Sequence, residues 1–347
     1  MWVRAPLRAD LTGGYTDVEP LISDRPSRSI SIALKSSVVV GCARPAAAEP
    51  NLGMGAFEGV RVRVRDPRGQ VLDVAASSRL ALAGQGGMAG MLGRAMVVVD
   101  VDAALDVELE MPLGIGVGSS GALLTAACRA LLGVGGRARV PDLSLPHVAA
   151  LVEHVAGHSG GIQDQLAATA GGLCSYRFAG VTVECTPLPQ ALGLFDGAYI
   201  AVPPARRAGS GRMVDLVLDA RRLDGGEVHS ALRALVSIGD QLFDSLYCGA
   251  PQFAKARDLV GQVLEQQIRL HPVIESAARA TPMWPFLETG EIVAKPLGGA
   301  GPGAAWLILP PVTDEILHRL AGEMWTFERV VPSLTGIRVL NAGGRDE

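Results

Sequence analysis

Hydrophobic and polar positions alternate in short runs through the first half of the chain and predict strands there. Residues 29–42 (SISIALKSSVVVGC) and 60–75 (VRVRVRDPRGQVLDVA) are rich in β-branched residues, and the second run has a DPRG turn at its centre. Residues 96–111, MVVVDVD followed by LDVELEM, predict further strand material. A long apolar run to about Leu132 then predicts a buried helix directly behind PLGIGVGSSGA (112–122).

Helical and strand-like segments mix in the remainder of the chain. A helix is expected from Pro146, a favoured first-turn residue, to Gly157, a favoured stop. A short helix, IQDQLAATA, lies between two glycine pairs, and LCSYRF with VTVECTPL predicts a hairpin. The pattern restarts near residue 190 with a strand (GAYIAVPP), helices from about 212 to 279, strands IVAKPLG and WLILPP, helix TDEILHRLAGEMW and strand IRVLNA. These elements predict an α+β protein with two domains, 1–190 and 191–347.

Composition narrows the possible partners. The chain has 347 residues, 48% hydrophobic and 19% charged, so it can bury a sizeable core. A net charge of -4 with scattered arginines gives no reason to expect nucleic acid or an anionic membrane as partner. No signal-peptide pattern, no apolar run of 18 residues and no paired or zinc-like cysteine spacing occur. A cytoplasmic protein with buried free thiols is therefore expected.

The loop 112–122 is the first candidate binding feature. Its glycines allow backbone N–H groups to approach an anion closely, and a helix that begins at the serines adds its N-terminal partial positive charge. Serine hydroxyls can bind a phosphate oxygen or Mg²⁺. The pattern GxxxxGK[ST] is absent, so the loop is not a Walker A motif. The alternative is a plain turn into a core helix.

Two further segments concentrate polar groups. Residues 4–24 hold Arg8, Asp10, Thr16 and Asp17 around a Gly13–Gly14 turn, which suits a hydroxyl-rich ligand or a charged surface hairpin. Residues 160–172 place Asp164 in the first turn of a short helix. A carboxylate there either stabilises the helix N-terminus or acts as a general base.

Together with residues 294–309, these segments resemble the GHMP kinase superfamily. APLRADLTGGYTDVEP resembles its first motif, PLGIGVGSSGA its phosphate loop and AKPLGGAGPGAAWLIL its third motif, in the same order. The form of the first motif and the segment GGIQDQLAATAGG are similar to those of D-glycero-D-manno-heptose 7-phosphate 1-kinases and fucokinase-like sugar kinases. Gly121 stands where the superfamily usually has alanine, and Pro302 removes one N–H donor from the third motif.

The resemblance implies a fold and a reaction. The fold is a two-domain α+β arrangement. Its N-terminal domain has a left-handed βαβ phosphate-loop unit, its C-terminal domain is ferredoxin-like, and the active site lies in the cleft between them. The reaction is transfer of the γ-phosphoryl group of ATP, with Mg²⁺, to a hydroxyl of a sugar or sugar phosphate, with O1 of heptose 7-phosphate as the best guess. A C7-cyclitol or cyclitol phosphate acceptor and a catalytically inactive sugar sensor remain alternatives, as do a monomer and a homodimer.

The resemblance also assigns roles to residues. Asp164 is the expected base, and Arg8 beside it would keep that carboxylate ionised. The residues expected around ATP are Pro112, Gly114, Gly116, Val117, Gly118, Ser119, Ser120 and Gly121. Those expected around the acceptor are Gly14, Tyr15, Thr16, Asp17, Gly161, Gln163 and Arg206. Mg²⁺ is expected at Ser120 and Glu153, and the third-motif loop is expected to contribute Gly299, Gly301 and Gly303.

Overall fold

The computed structural model describes residues 1–18, 25–44, 59–137, 144–180, 182–204, 211–223 and 225–341. The strands are β1 (Trp2–Asp10), β2 (Ser27–Ala43), β3 (Val60–Arg65), β4 (Val71–Ala76), β5 (Ala104–Leu109), β6 (Leu173–Ala179), β7 (Thr182–Pro187), β8 (Tyr199–Val202), β9 (Val293–Pro296), β10 (Trp306–Leu309), β11 (Thr326–Arg329) and β12 (Arg338–Leu340). The helices are α1 (Arg79–Ala83), α2 (Gly87–Val99), α3 (Ser119–Gly133), α4 (Leu145–Val155), α5 (Gln163–Ala170), α6 (Gly211–Leu223), α7 (Gly225–Tyr247), α8 (Phe253–Ile268), α9 (Pro272–Arg279), α10 (Trp284–Glu288) and α11 (Asp314–Ala321), with a 3₁₀ helix at Pro189–Phe195.

The larger sheet has eight strands and is organised by the long strand β2. Its order is β12-β1-β2-β5-β3-β4, and β6 and β7 join through β2. The first part of β2 pairs with β6 (Ile30 opposite Ser175), and the last part pairs with β5 (Val40 opposite Val107). All pairings are antiparallel except that of β3 with β5. The long strand therefore connects the hairpin that follows α5 to the strand that precedes the phosphate loop.

The smaller sheet has four antiparallel strands in the order β11-β8-β10-β9. Helix α8 packs on β9, whereas α3 and α5 both pack on β1 and β2 of the larger sheet. The C-terminal strand β12 returns to the larger sheet and pairs with β1, with Val339 opposite Val3. The predicted division near residue 190 lies at the 3₁₀ helix, and it stays a prediction.

Most predicted elements are present, but the strand predicted at MVVVDVD is wrong. Met96–Val99 form the last turn of α2, and Asp100 ends the helix with a left-handed φ of 57°. The helix buries Leu92, Ala95, Met96 and Val99, a spacing of three and four residues that places them on one face. Burial of that face outweighs the β preference of three consecutive valines.

Three of the five cysteines are buried, as the sequence analysis predicts. Cys42, Cys128 and Cys174 are buried free thiols, whereas Cys185 is exposed and Cys248 is half-buried, so the expectation of burial fails for these two. No helix in the described ranges combines the length and the apolar character needed to cross a membrane.

Candidate active site

A cavity of about 580 Å³ lies where the three glycine-rich motifs meet. Its wall includes Arg8 at the end of β1, Asp164 at the start of α5 and Ser120 at the start of α3. Gly298 and Gly299 close it from the loop after β9, and Val214 contributes from α6. Both halves of the chain therefore line one cleft, as the fold prediction requires.

The phosphate loop takes a conformation that requires glycine. Gly114, Gly116 and Gly118 have φ angles of 80°, 93° and 69°, in the left-handed region. A Cβ atom on Gly116 would lie 2.4 Å from the Leu297 carbonyl oxygen, so a side chain there would collide with the third-motif loop. No side chain caps the N-terminus of α3 at Gly118. The first N–H groups of a 15-residue helix therefore face the cavity, which is the arrangement that binds phosphate.

Arg8 and Asp164 form an ion pair on the cavity wall. Arg8 donates from Nε at 2.7 Å and from Nη2 at 2.6 Å, both to Oδ1 of Asp164. Its Nη1 donates to the Gly116 carbonyl at 2.8 Å and to Asp10 Oδ1 at 2.7 Å. Burial alone lowers the pKa of Arg8, but the charges of Asp164 and Asp10 outweigh it and raise the pKa above the ordinary value. The guanidinium is therefore held rigidly between the phosphate loop and α5.

Asp17 lies beside this pair with one free oxygen. Its Oδ2 accepts the Gln163 backbone N–H at 2.8 Å, while its buried Oδ1 has no hydrogen-bond partner among the described residues. Burial raises the pKa of Asp17 to about 7, although the Gln163 N–H acts in the opposite direction. A Cβ atom on Gly161 would lie 1.9 Å from Asp17 Oδ2, so glycine is required for this approach. The free oxygen is suited to accept a hydrogen bond from a hydroxyl.

Glu153 and Ser120 both line the cavity and contact each other. Ser120 Oγ donates to Glu153 Oε1 at 2.8 Å, and Gln165 Nε2 donates to Oε2 at 2.7 Å. Burial, followed by the charge of Asp164, raises the pKa of Glu153 to about 7. No group of three or more His, Cys, Asp or Glu in the described segments could hold a metal ion alone. A carboxylate and a hydroxyl nevertheless fit Mg²⁺, which takes oxygen ligands and commonly completes its shell with phosphates and water.

One wall of the cavity was not expected from the sequence. Met88, Met91 and Arg94 recur every three residues along α2 and line the cavity, together with Gly86 and Gly87. Arg94 forms no hydrogen bond or ion pair with another described residue. The sequence analysis missed this face because it assigned no element to residues 87–95. The spacing of the two methionines and the arginine was the signal that could have revealed it.

Several predicted residues lie behind the wall. Tyr15 is fully buried and donates from its hydroxyl to the Gly299 carbonyl at 2.9 Å, so it joins the first and third motifs without lining the cavity. The structure likewise keeps Pro112, Thr16, Val117, Gly121, Gly301 and Gly303 off the wall. Arg206 lies outside the described residues. The predicted residues that do line the wall are Arg8, Gly14, Asp17, Gly114, Gly116, Gly118, Ser119, Ser120, Glu153, Gly161, Gln163, Asp164 and Gly299.

Comparison with known protein families and structures agrees with this geometry. Residues 85–172, from the start of α2 to the glycine pair after α5, match the family described as GHMP kinases N terminal domain. No curated protein matches the chain in sequence.

Solved structures resemble the whole chain at low identity. A D-glycero-D-manno-heptose 1-phosphate kinase from Bacteriodes thetaiotaomicron has a TM-score of 0.62 and 14% identity, covering 97% of each chain. A Lactococcus lactis galactokinase complexed with galactose has a TM-score of 0.62 and 14% identity, covering 98% of this chain and 95% of the other. A Streptococcus pneumoniae phosphomevalonate kinase in complex with phosphomevalonate and AMPPNP has a TM-score of 0.62 and 13% identity, covering 95% and 100%.

These structural matches show the fold, and the family match covers the segment with the phosphate loop and Asp164. Residues 85–172 therefore match the GHMP kinases N terminal domain, and the whole chain has the two-domain α+β fold of the solved kinases that it resembles.

Proposed function

We propose that this protein transfers the γ-phosphoryl group of ATP to a hydroxyl of a sugar or sugar phosphate, with the anomeric hydroxyl of a heptose 7-phosphate as the best candidate. The observation that carries the proposal is the Arg8–Asp164 pair, which lies against the phosphate loop and lines the same cavity. Phosphoryl transfer needs positioning, neutralised charge and a group that accepts the hydroxyl proton, and this cavity offers all three.

Asp164 is the proposed general base. Both Arg8 contacts go to Oδ1, and Oδ2 has no hydrogen-bond partner in the described part of the chain. The Asp164 side chain is 26% exposed, on the cavity side. Oδ2 is therefore the atom available to take the proton of the attacking hydroxyl. Arg8 orients the carboxylate through both contacts, and its charge lies close to the phosphate loop.

Asp17 and the turn around Gly161 are the proposed acceptor site. Asp17 lines the cavity, and its unpartnered carboxylate oxygen can accept a hydrogen bond from a hydroxyl of the acceptor. This arrangement suits a polyol, so a C7-cyclitol or cyclitol phosphate remains the alternative acceptor. Similarity to a heptose 1-phosphate kinase and to a galactokinase supports a sugar. Arg206, proposed from the sequence to bind an acceptor phosphate, lies outside the described residues.

ATP is the proposed donor, with its phosphates at Gly116, Gly118, Ser119 and Ser120. We expect the adenine ring of ATP to pack against the apolar side chains of Met88 and Met91 on α2. Ser120 and Glu153 would hold Mg²⁺, which when bound neutralises charge on the phosphates. Similarity to a kinase in complex with AMPPNP supports an adenine nucleotide.

The test is release of ADP that depends on an acceptor. A panel would contain heptose 7-phosphate, mannose, fucose, galactose, C7-cyclitols and their phosphates, and homoserine. We expect turnover with a sugar or cyclitol, and a fall in kcat of about a hundredfold or more in Asp164→Asn, as removal of a general base predicts. Asp258→Asn, at an exposed position on α8, is the matched control and should retain wild-type kcat.

The outcomes of this assay distinguish the proposed function from its alternatives. Turnover with homoserine alone would contradict a sugar acceptor. Binding of ATP or a sugar, measured by calorimetry, without turnover of any acceptor would favour an inactive sugar sensor. The retained Arg8, Asp164 and Ser120 argue against that reading, because a sensor has no need of a base.

A further inference from the structure

A buried carboxylate, Asp10, lies behind Arg8, and hydrogen bonds occupy both of its oxygens. Oδ1 accepts from Arg8 Nη1 at 2.7 Å and from the Gly298 N–H at 3.0 Å. Oδ2 accepts from Lys295 Nζ at 2.7 Å and from the Gly13 N–H at 3.0 Å. Lys295 Nζ also donates to the Asp10 backbone carbonyl at 3.0 Å. Asp10 therefore links β1, the strand that carries Arg8, to the turn at Gly13 and to the third motif.

The group is an electrically balanced chain whose inner members are buried. The side chains of Asp10 and Lys295 are fully buried, and that of Arg8 is 4% exposed. Lys295, Asp10, Arg8 and Asp164 alternate in sign, so two cations face two carboxylates. Burial tends to raise the pKa of Asp10, but Lys295 and Arg8 outweigh it and lower that pKa below its ordinary value. A buried charge is tolerated when it is paired and hydrogen-bonded in this way.

The order of charges matters because Arg8 is shared between two carboxylates. Its Nη1 is turned to Asp10, while Nε and Nη2 are turned to Asp164. Without Lys295, the whole charge of Asp10 would act on Arg8 from within a buried site, where electrostatic interactions are strong. Arg8 would then be drawn inward from Asp164. Lys295 offsets the charge of Asp10 and leaves Arg8 free to hold Asp164 with its outer edge.

We propose that Asp10 and Lys295 are positioning residues that set the place of Arg8, and through it the orientation of the Asp164 carboxylate. The inference rests on the proposed phosphoryl transfer and extends the machinery to two residues outside the cavity wall. Lys295 lies on β9, at the start of the third motif. The motif therefore contributes a charged positioning residue in addition to its glycines.

The first test is Lys295→Met, assayed with an acceptor that the wild-type enzyme turns over. We expect kcat to fall by about tenfold to a hundredfold, since small displacements of reacting groups have effects of this size. The KM values for ATP and the acceptor should stay within about threefold, because neither residue touches the cavity. Lys255→Met, at an exposed position on α8, controls for loss of a lysine and should match wild type. Wild-type kcat in folded Lys295→Met overturns the inference.

A second variant addresses folding, because Lys295→Met leaves Asp10 with one cation fewer. The double variant Asp10→Asn/Lys295→Met removes both charges and leaves no buried ion without its partner. It should fold, judged by circular dichroism and thermal unfolding, and show a lower kcat with little change in KM, because Nη1 of Arg8 loses the charged partner that holds it. Wild-type kcat in the folded double variant overturns the inference.

Arg8→Lys decides the case in which neither variant folds. Lysine keeps the positive charge, but its single ammonium group lacks the two edges with which the Arg8 guanidinium binds Asp10 and Asp164. A folded Arg8→Lys with wild-type kcat overturns the positioning role, because the orientation of Asp164 would then not depend on a guanidinium shared with Asp10. Absence of turnover in the wild-type enzyme contradicts the proposed function instead, so the two failures are distinguishable.

Discussion

A Cβ atom at position 121 would lie 2.5 Å from the Cβ atom of Asp164. Gly121 is in the first turn of α3, and Asp164 is in the first turn of α5, so these two helix starts are in backbone contact. The glycine that replaces the superfamily's usual alanine thus allows α5 to approach the phosphate loop more closely than an alanine would permit.

Gly121→Ala is expected to displace Asp164 and lower kcat by about tenfold to a hundredfold, because the base would move relative to the phosphate loop. Steady-state ADP release measures the effect. Gly261→Ala is the matched control, since Gly261 is a helical glycine of α8 with no atom within 4 Å of a built Cβ. That control should stabilise the protein by about 1 kcal/mol and leave kcat unchanged. Equal kcat in the two variants would show that the contact has no bearing on catalysis.

The raised pKa of Asp17, about 7, predicts a pH dependence of stability. A carboxyl whose pKa is higher in the folded than in the unfolded protein binds more protons when folded, so its contribution to stability falls as pH rises from about 4 to about 7. Asp17→Asn should therefore raise the unfolding temperature at pH 8 by several degrees and change it little at pH 4. Thermal unfolding without ligands at both pH values measures this. A stabilisation of equal size at both would contradict the burial of an ionised Asp17.

Acceptor binding should depend on pH with the opposite sign. An ionised Asp17 is the better hydrogen-bond acceptor for a hydroxyl, so the KM for the acceptor is expected to fall between pH 6 and pH 8. In Asp17→Asn, KM should be higher and nearly independent of pH over that range. The KM for ATP is the internal control and should be alike in both proteins at each pH. A persistent pH dependence of acceptor KM in the variant would assign it to another group.

Glu153 and Ser120 are expected to govern the response to magnesium. Glu153→Gln should raise the Mg²⁺ concentration that gives half-maximal activity by about tenfold or more, because an anionic oxygen ligand is lost. Calorimetric binding of ATP with Mg²⁺ and with EDTA gives a readout independent of turnover. The variant should lose the difference that the wild type shows between the two conditions. Glu265→Gln, exposed on α8, should keep it.

Arg94 is expected to bind a nucleotide phosphate. It shares one face of α2 with Met88 and Met91, and α2 packs on the helix that follows the phosphate loop. Loss of a charge-assisted hydrogen bond costs about 1.5–3 kcal/mol, so Arg94→Gln should raise the KM for ATP by roughly tenfold to a hundredfold. Arg137→Gln, at an exposed position, is the control. A rise in KM confined to a phosphorylated acceptor would assign Arg94 to the acceptor instead.

Local chemistry made much of the site predictable from sequence. Glycines in the left-handed region and a helix that begins at Ser119 are properties of a short segment, so the phosphate loop was recognisable without tertiary structure. The approach of Arg8 to Asp164 across 156 residues was predicted only through resemblance to a family. No local pattern specifies a contact of that length.

The sequence by itself determined the α+β class, the order of the three motifs and most helix and strand positions, because periodicity and glycine placement act over a few residues. Tertiary structure decided the rest. Packing placed the valines before Asp100 in a helix and turned Met88, Met91 and Arg94 into the cavity. It also paired Lys295 with Asp10 in a fully buried site. Such contacts depend on which faces meet after folding, and burial there outweighs the local preference of each residue.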